Sequence, residues 1–347
     1  MNNPIVSVIV TTYQRRELAE LAITSAMNQD YENLEIIVIE DGSNSGIKEW
    51  LQGYNSKRIK YCNNGINSGL AACRNKGVEI ANGKYVSFLD DDDAWLPDKI
   101  SSQIGIIPGN ESSKLSVTCG TCLIQNGTVK RKFIPQIQGS LFEHVFKGGG
   151  FPPSSLLVAK DIILEIGGFS EDLKSCVDHD FWMKLGLAKC KMLCVPNGQV
   201  YTNRSNQDHM KSDIQNRIKG IVQFYDKWFD VVNEDTKIGD WRKIERVYES
   251  QTYQTLFQQY HQGNIKTKEA VSYLKNIYSQ RKINIRNIIF MRMKDRILLS
   301  SFFHPITAFF INRLWKVYGL LWRSQQKIVE LINSFLTLKM RKGPGIG

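Results

Sequence analysis

Tyr85-Val86-Ser87-Phe88-Leu89-Asp90-Asp91-Asp92-Asp93-Ala94-Trp95-Leu96-Pro97 is the stretch on which the reading of the fold turns. A short run with the composition of a buried strand passes directly into four adjacent carboxylates. Neighbouring carboxylates repel one another unless positive charge sits among them, and a hard divalent cation held through oxygen ligands supplies that charge. Such a cation in turn neutralises phosphate oxygens. Taken alone, an acidic run reads as readily as a solvated turn or a helix N-cap. Here it closes an apolar strand, the place where an open parallel sheet gathers its ligands.

The residues upstream supply such a sheet. Ile5–Thr12 (IVSVIVTT) and Leu34–Ile39 (LEIIVI) are mainly apolar and β-branched, as strands buried on both faces are. Between them Arg16–Asn28 has helical spacing through Leu18, Leu21, Ala22 and Ser25. The turn Asp41-Gly42-Ser43, a helix near Ile47–Tyr54, a short strand Ile59–Tyr61 and a helix Gly69–Ala81 continue the alternation. Strand–helix alternation implies an α/β fold with right-handed crossovers. After Pro97 the pattern changes. Val117–Ile124 and Val129–Ile134 flank Asn126-Gly127, a hairpin signal. Gly148–Pro153 reads as a loop, Asp161–Ile166 as a short helix ending at Gly167-Gly168, and Phe181–Leu187 as a helix with Asp180 as its cap. From Gln215 onward nearly everything reads as helix.

Charge divides the chain in the same way. Residues 1–212 carry 22 basic and 23 acidic side chains, whereas residues 213–347 carry 23 and 11. A near-neutral front and a basic rear suggest two jobs, with a boundary at 212/213. In the rear, Arg313, Lys316, Arg323 and Lys327 lie opposite Trp315, Tyr318, Leu321, Trp322 and Ile328, an amphipathic pattern. Such a face either lies on an anionic membrane or packs on the catalytic domain or a second subunit of a homo-oligomer. No nucleic-acid-binding module is recognisable. The 7 cysteines are scattered, and Cys119-x-x-Cys122 has no second pair, so reduced thiols and a cytoplasmic setting are expected. No leader and no uncharged run near the roughly 18 residues of a membrane span is seen, leaving peripheral attachment to the inner face of the plasma membrane as the form of any membrane contact.

Six segments also carry a resemblance. They are Val8-Ile9-Val10-Thr11-Thr12-Tyr13, Ile39-Glu40-Asp41-Gly42-Ser43, Asn67-Ser68-Gly69-Leu70 with Arg74-Asn75, Phe88-Leu89-Asp90-Asp91-Asp92-Asp93, Gly167-Gly168-Phe169 and Asp178-His179-Asp180-Phe181-Trp182. In this order and spacing, over roughly residues 5–212, they resemble a family 2 glycosyltransferase of the inverting, bacterial surface-polysaccharide type. The resemblance implies the GT-A fold, a Rossmann-like nucleotide-sugar-binding domain, here followed by a mainly helical C-terminal region.

Roles follow from the resemblance, residue by residue. Thr11 and Tyr13 match the strand end that holds the nucleotide base, and Asp41 the carboxylate that accepts a hydrogen bond from a uracil ring. Arg74 matches a residue near base and diphosphate; the bland alternative is a surface arginine. Asp90 matches the residue near the ribose, Asp92 the ligand of Mn2+ or Mg2+, and Asp91 and Asp93 residues that support the site. Asp178 matches the catalytic base that takes the acceptor hydroxyl's proton, the alternative being a helix cap. His209 lies where the family often places a residue over the diphosphate. Pro152–Ser155 is expected to line the acceptor pocket. Two departures stand out: Ser45 replaces a usual later carboxylate in the base-binding turn, and Val177 replaces an acidic residue before the base. The donor is then a nucleotide-sugar and the acceptor a glycan or lipid-linked glycan. A nucleotidyltransferase would carry a Gly-rich basic loop after the first strand, which Thr11–Arg15 is not. A non-catalytic glycan-binding scaffold would have lost Asp92 or Asp178, and both are present.

Overall fold

The computed structural model describes residues 3–54, 56–109, 114–125, 128–137, 141–146, 150–203 and 214–234. By its contacts the chain divides into two units, Met1–Phe257 and Gln258–Gly347, and every described residue lies in the first. The tryptophan-bearing basic helix and His209 lie outside the described residues.

Four strands run parallel: β1 (Val6–Thr12), β2 (Leu34–Glu40), β3 (Ile59–Asn63) and β4 (Tyr85–Asp90), in the order β3-β2-β1-β4. All seven residues of β1 and of β2 are buried, in keeping with their largely apolar, β-branched runs. Helices α1 (Arg16–Met27), α2 (Ile47–Gln52) and α3 (Leu70–Ile80) make the crossovers. The small residues of α3 let it approach the sheet closely: a Cβ on Gly77 would sit 2.4 Å from the Ile9 side chain. In register, Thr11 lies opposite both Ile39 and Asp90, and Thr12 opposite Glu40. The ends of three parallel strands therefore present Thr11, Thr12, Glu40 and Asp90 along one edge.

The remainder extends this sheet with mixed polarity. The elements are β5 (Asp93–Trp95), α4 (Lys99–Gly105), β6 (Leu115–Gln125), β7 (Thr128–Phe133), α5 (Leu141–Phe146), a 3-10 turn (Pro153–Ser155), β8 (Leu157–Ala159), α6 (Lys160–Glu165), α7 (Val177–Leu187), β9 (Lys191–Asn203) and α8 (Ile214–Glu234). The order beyond β4 is β8-β6-β9-β5, with β7 on β6 as the expected hairpin. Strands β5, β8 and β9 escaped the sequence reading. Two are only three residues long, and β9 contains Pro196-Asn197-Gly198, which reads as a turn. The sheet accommodates that segment by shifting the β6–β9 register around Gly120, whose absent Cβ would lie 2.7 Å from the Asn197 carbonyl oxygen.

One charge is buried beneath this junction. Lys99 is wholly inaccessible, donates to Ser87 Oγ at 2.5 Å and lies 3.9 Å from the centre of the Trp95 ring. Among the described residues no carboxylate pairs with it. Burial pushes its ammonium down from 10.5 to about 7. The unfolded chain keeps the Lys99 proton up to about pH 10.5 while the folded chain releases it near 7, so folding is favoured progressively as pH rises through that window. Buried thiols such as Cys119, held above their ordinary value by burial, act in the opposite sense, and loss of Lys99, which draws the Cys119 thiol down, adds to that opposing trend in the variant. We predict that Lys99→Met removes a stability gain of a few kcal/mol between pH 7 and 10. Denaturant unfolding of both proteins at pH 7 and 9.5 checks this, and parallel pH profiles would refute it.

Candidate active site

The acidic run straddles the exit of β4 and the entry of β5, and its four members do not share one environment. Asp90, Asp92 and Asp93 each offer one carboxylate oxygen, all within 4.8 Å of one another. Asp91 is turned out of this group: it is buried, and both oxygens accept from Arg15, through Nη2 and, at 3.2 Å, through Nε. Arg15 also reaches Asp92 at 3.7 Å. The Asp93 carboxylate accepts from Ser154 Oγ at 2.5 Å, and the same hydroxyl accepts from the Asp90 N–H at 3.2 Å. Ser154 is held in turn by Trp95, whose Nε1 donates to its carbonyl at 2.9 Å. Pro152–Ser155 was expected to line an acceptor pocket. Instead Ser154 is wholly buried beneath Asp93 and Ser155 is wholly buried against Thr118, because the 3-10 turn packs between β4 and β6.

Carboxylates crowd one another in this trio. Burial, followed by repulsion from Asp90 and Asp92, raises Asp93 well above the ordinary carboxylate range. Burial also raises Asp90, with Asp178 and Asp92 adding to the shift and Arg74 opposing it. Burial takes Asp91 to about 6 despite Arg15. Three clustered oxygen donors, two of them on carboxylates raised by burial and mutual repulsion, fit a hard divalent cation by both chemistry and charge.

Arg74 joins this cluster to Asp178. It projects from α3, is 1% exposed, and places Nη2 2.7 Å from Asp90 and Nη1 2.7 Å from Asp178. The guanidinium carbon lies 5.0 Å from the Phe169 ring centre and 5.9 Å from that of Phe88. Phe169 stacks on Phe181 at 4.1 Å, so an aromatic floor runs from β4 to α7. The alternative of a surface arginine is thereby excluded. The neighbouring Asn75 binds the backbone N–H and carbonyl of Phe169, which explains why an Arg-Asn pair on α3 accompanies the Gly167-Gly168-Phe169 turn. Asp178 keeps 39% of its side chain exposed, so one side remains open to an approaching group.

Neither Asp178 nor Asp180 caps α7. The helix begins at Val177, earlier than its apolar pattern suggested, and is preceded by Cys176 at φ 61° with no side-chain cap. Asp180, expected as the cap, is instead fully buried within the first turn. It accepts from Ser170 Oγ at 2.6 Å, Lys227 Nζ at 2.7 Å and Trp228 Nε1 at 3.0 Å.

The other candidates lie along the strand ends. Thr11 is nearly buried, and Tyr13 is 40% exposed beyond it. Asp41 accepts from the N–H groups of Ser68 and Gly69 at 2.7 and 2.8 Å, shaping the loop into α3. Gly42 follows with φ 70°, where a Cβ would lie 2.1 Å from the Ile66 backbone. Glu40 is the residue undervalued from sequence. It is wholly buried and accepts from Tyr61, Ser43 and the Ser45 N–H at 2.6, 2.7 and 2.8 Å. Burial alone would raise its carboxyl, but these bonds together hold it below its ordinary value.

Comparisons with known proteins agree with this geometry. A profile described as "Glycosyl transferase family 2" matches residues 7–138. WcaA of Escherichia coli, a putative colanic acid biosynthesis glycosyl transferase, is 41% identical over 102 residues, or 29% of this chain and 37% of that protein. TuaG of Bacillus subtilis, a putative teichuronic acid biosynthesis glycosyltransferase, is 35% identical over 146 residues, 42% of this chain and 58% of its own. WfgD of Escherichia coli, a UDP-Glc:alpha-D-GlcNAc-diphosphoundecaprenol beta-1,3-glucosyltransferase, is 30% identical across 53% of this chain and 71% of its own length. The chain belongs to glycosyltransferase family 2.

Its fold is the GT-A fold. TarS of S. aureus, solved with UDP-GlcNAc, superimposes with TM-score 0.51 at 19% identity over 64% of this chain and 66% of its own. The mannosyltransferase PcManGT of Pyrobaculum calidifontis, solved with GDP-Man and Mn2+, gives 0.52 at 16% identity over 85% and 81%. In this chain, Asp178 lies beyond the matched profile and is joined to Asp90 through Arg74. We predict that Arg74→Met costs about 2–3 kcal/mol, less than a fully buried pair because both carboxylates keep some water. Adding Asp90→Asn should recover part of that loss in denaturant unfolding; strict additivity of the two changes would contradict the linkage.

Proposed function

We propose that the chain is an inverting, metal-dependent glycosyltransferase that passes a sugar from a nucleoside diphosphate, best matched by UDP, to a hydroxyl of a glycan or lipid-linked glycan in surface-polysaccharide assembly. The observation that carries this reading is the single buried Arg74 shared by Asp90 and Asp178. It brings an open carboxylate beside a carboxylate cluster suited to a cation. On this reading Asp178 accepts the proton of the acceptor hydroxyl as its oxygen bonds the anomeric carbon and the bond to the diphosphate oxygen breaks. One base and one in-line displacement give inversion. Asp92, with Asp90 and Asp93, would hold Mn2+ or Mg2+, which when bound supplies positive charge for the departing diphosphate. Thr11 and Tyr13 take the nucleotide base and Asp90 the ribose. Asp41 uses oxygen lone pairs left over after its two backbone bonds to accept from a base N–H, so the lost carboxylate at Ser45 is not needed to shape that loop. Asp91 supports the cluster from behind through Arg15.

Relatives support the coarser terms. WfgD's name specifies UDP-Glc and a lipid-diphosphate acceptor, and PcManGT binds GDP-Man with Mn2+. The hexosyl or N-acetylhexosaminyl character of the donor is drawn from such partners. No helix among the described residues is long and apolar enough to cross a membrane. We further propose that the basic region 213–347 provides membrane attachment or a subunit contact, at least beyond α8. Truncation before Ile297 should release the protein from anionic vesicles; unchanged co-sedimentation would dismiss the membrane role.

For the chemistry, Asp178→Asn should lower turnover by about 10²–10⁴-fold while donor binding survives. Asp92→Ala should weaken Mn2+-dependent donor binding. A nucleotide-sugar panel with Mn2+, read by thermal shift and by release of the nucleoside diphosphate, checks both. Near wild-type turnover in Asp178→Asn, or an unchanged Mn2+ response in Asp92→Ala, would remove that residue from its role.

A further inference from the structure

Helix α8 lies beyond the segment matched by the family profile, in the region whose charge balance differs from that of the front half. Its inner face nevertheless reads out along the backbone that leads into Asp178. Ser175 Oγ donates to the Arg217 carbonyl at 2.8 Å. One turn on, Gly220 meets the same residue so closely that a Cβ would lie 2.1 Å from the Ser175 nitrogen. Gln223 then accepts from the Lys174 N–H at 3.0 Å and donates to the Asp172 carbonyl at 3.1 Å. A further turn along, Lys227 bonds both Ser170 and Asp180 at 2.7 Å, and Trp228 bonds Asp180 at 3.0 Å. Positions 217, 220, 223–224 and 227–228 recur at helical spacing, so one face makes every contact. Ile221, Phe224 and Trp228 bury the apolar remainder.

What this face grips cannot fix itself. The loop between Gly168 and α7 ends in Cys176, a non-glycine residue at φ 61°, and α7 starts without a side-chain cap. A left-handed residue at that point persists only where its surroundings over-determine it. Asp178 sits in the turn between Cys176 and Asp180, flanked on both sides by residues that α8 holds or abuts.

We infer that α8 is a positioning element for the acceptor base: by clamping residues 170–180 from outside, it holds Asp178 against Arg74 at the geometry needed for proton transfer. The inference rests on Asp178 being the base. It assigns no substrate contact to α8; Gln223, Gly220 and the Asp180–Trp228 pair act through the loop. Small displacements of a catalytic group carry large rate penalties, which is why a remote clamp is expected to register in kcat.

The test uses the full chain with UDP-glucose and UDP-N-acetylglucosamine as probes, with Mn2+, scored by UDP release. Gln223→Ala removes two loop bonds at a half-exposed position and leaves the apolar face intact; Gly220→Ala strikes the close approach directly. Each should lower kcat at least fivefold, with the donor KM and the affinity for UDP and Mn2+ within twofold of wild type. Amide hydrogen exchange over residues 169–181 should quicken at least tenfold, with residues 85–95 unchanged. A merely structural role would instead lower donor affinity and kcat together and loosen both segments, and that outcome, or wild-type kcat in Gln223→Ala, overturns the inference. Asp178→Asn separates the two levels. If it turns over normally the base assignment fails, whereas if it is inactive while both α8 variants are wild type, only the clamp is wrong. Should neither probe be hydrolysed by the wild type, unchanged exchange over 169–181 in the variants overturns the clamp by itself.

Discussion

Mutual repulsion among carboxylates is the constraint around which the rest of this structure is arranged. Asp90, Asp92, Asp93 and Asp178 converge from three elements, and the described chain offers them one wholly buried guanidinium, Arg74, with Arg15 at the margin of Asp92. Arg74 can be there only because α3 is built of small residues and packs close to β1, and because Phe88 and Phe169 provide a surface against which a planar cation is stable. An exposed lysine could not span two carboxylates in this way. The guanidinium's two terminal nitrogens each satisfy one partner, which ties Asp90 at the end of β4 to Asp178 on α7 through a single rigid group.

The remaining supports are neutral or weakly charged. Ser154 bridges Asp93 and the Asp90 backbone, Trp95 holds Ser154, and Lys99 lies against the Trp95 ring beneath them. Burial pulls Lys99 down to about 7, so the layer under the cluster sheds its positive charge as pH rises past neutrality. Had Lys99 pointed at the carboxylates it would have filled the place of a cation. Its bond to Ser87 Oγ directs it instead to the strand and turn that carry Ser154.

The parallel half of the fold was legible in the sequence because its signals are local. Unbroken β-branched runs, helical spacing and Gly-containing turns gave β1 to β4 and their crossovers to within a few residues. The site was legible to the extent that it sits at strand ends: the Asp90–Asp93 run and Asp41 follow from that rule. What escaped depends on long-range pairing. The short strands β5 and β8 are defined only by their partners, β9 hides a turn-like segment opposite a bulge, and Asp180 looks like a cap until Lys227 and Trp228 arrive from forty-odd residues away. The part Glu40 plays is invisible in a local window, since nothing there shows that Tyr61 and Ser45 both bond it.

The same distinction explains why the charge boundary near residue 212 does not coincide with a structural one. Net charge reports which surface a segment shows to solvent and says little about which face it buries. Over Ile214–Glu234 the inner face carries Ile221, Phe224 and Trp228 and donates polar groups to Asp172 and Asp180. A helix within the basic region can thus count as tail by composition and as core by packing. Asp180 decides the matter energetically: a carboxylate removed entirely from water must be met by several donors, and two of its partners come from α8. Without that helix, the buried Asp180 would keep only Ser170 and, at 3.6 Å, Lys184 among these partners and would lose its two closest nitrogen donors, two residues from Asp178, so the site draws on chain beyond its matched domain.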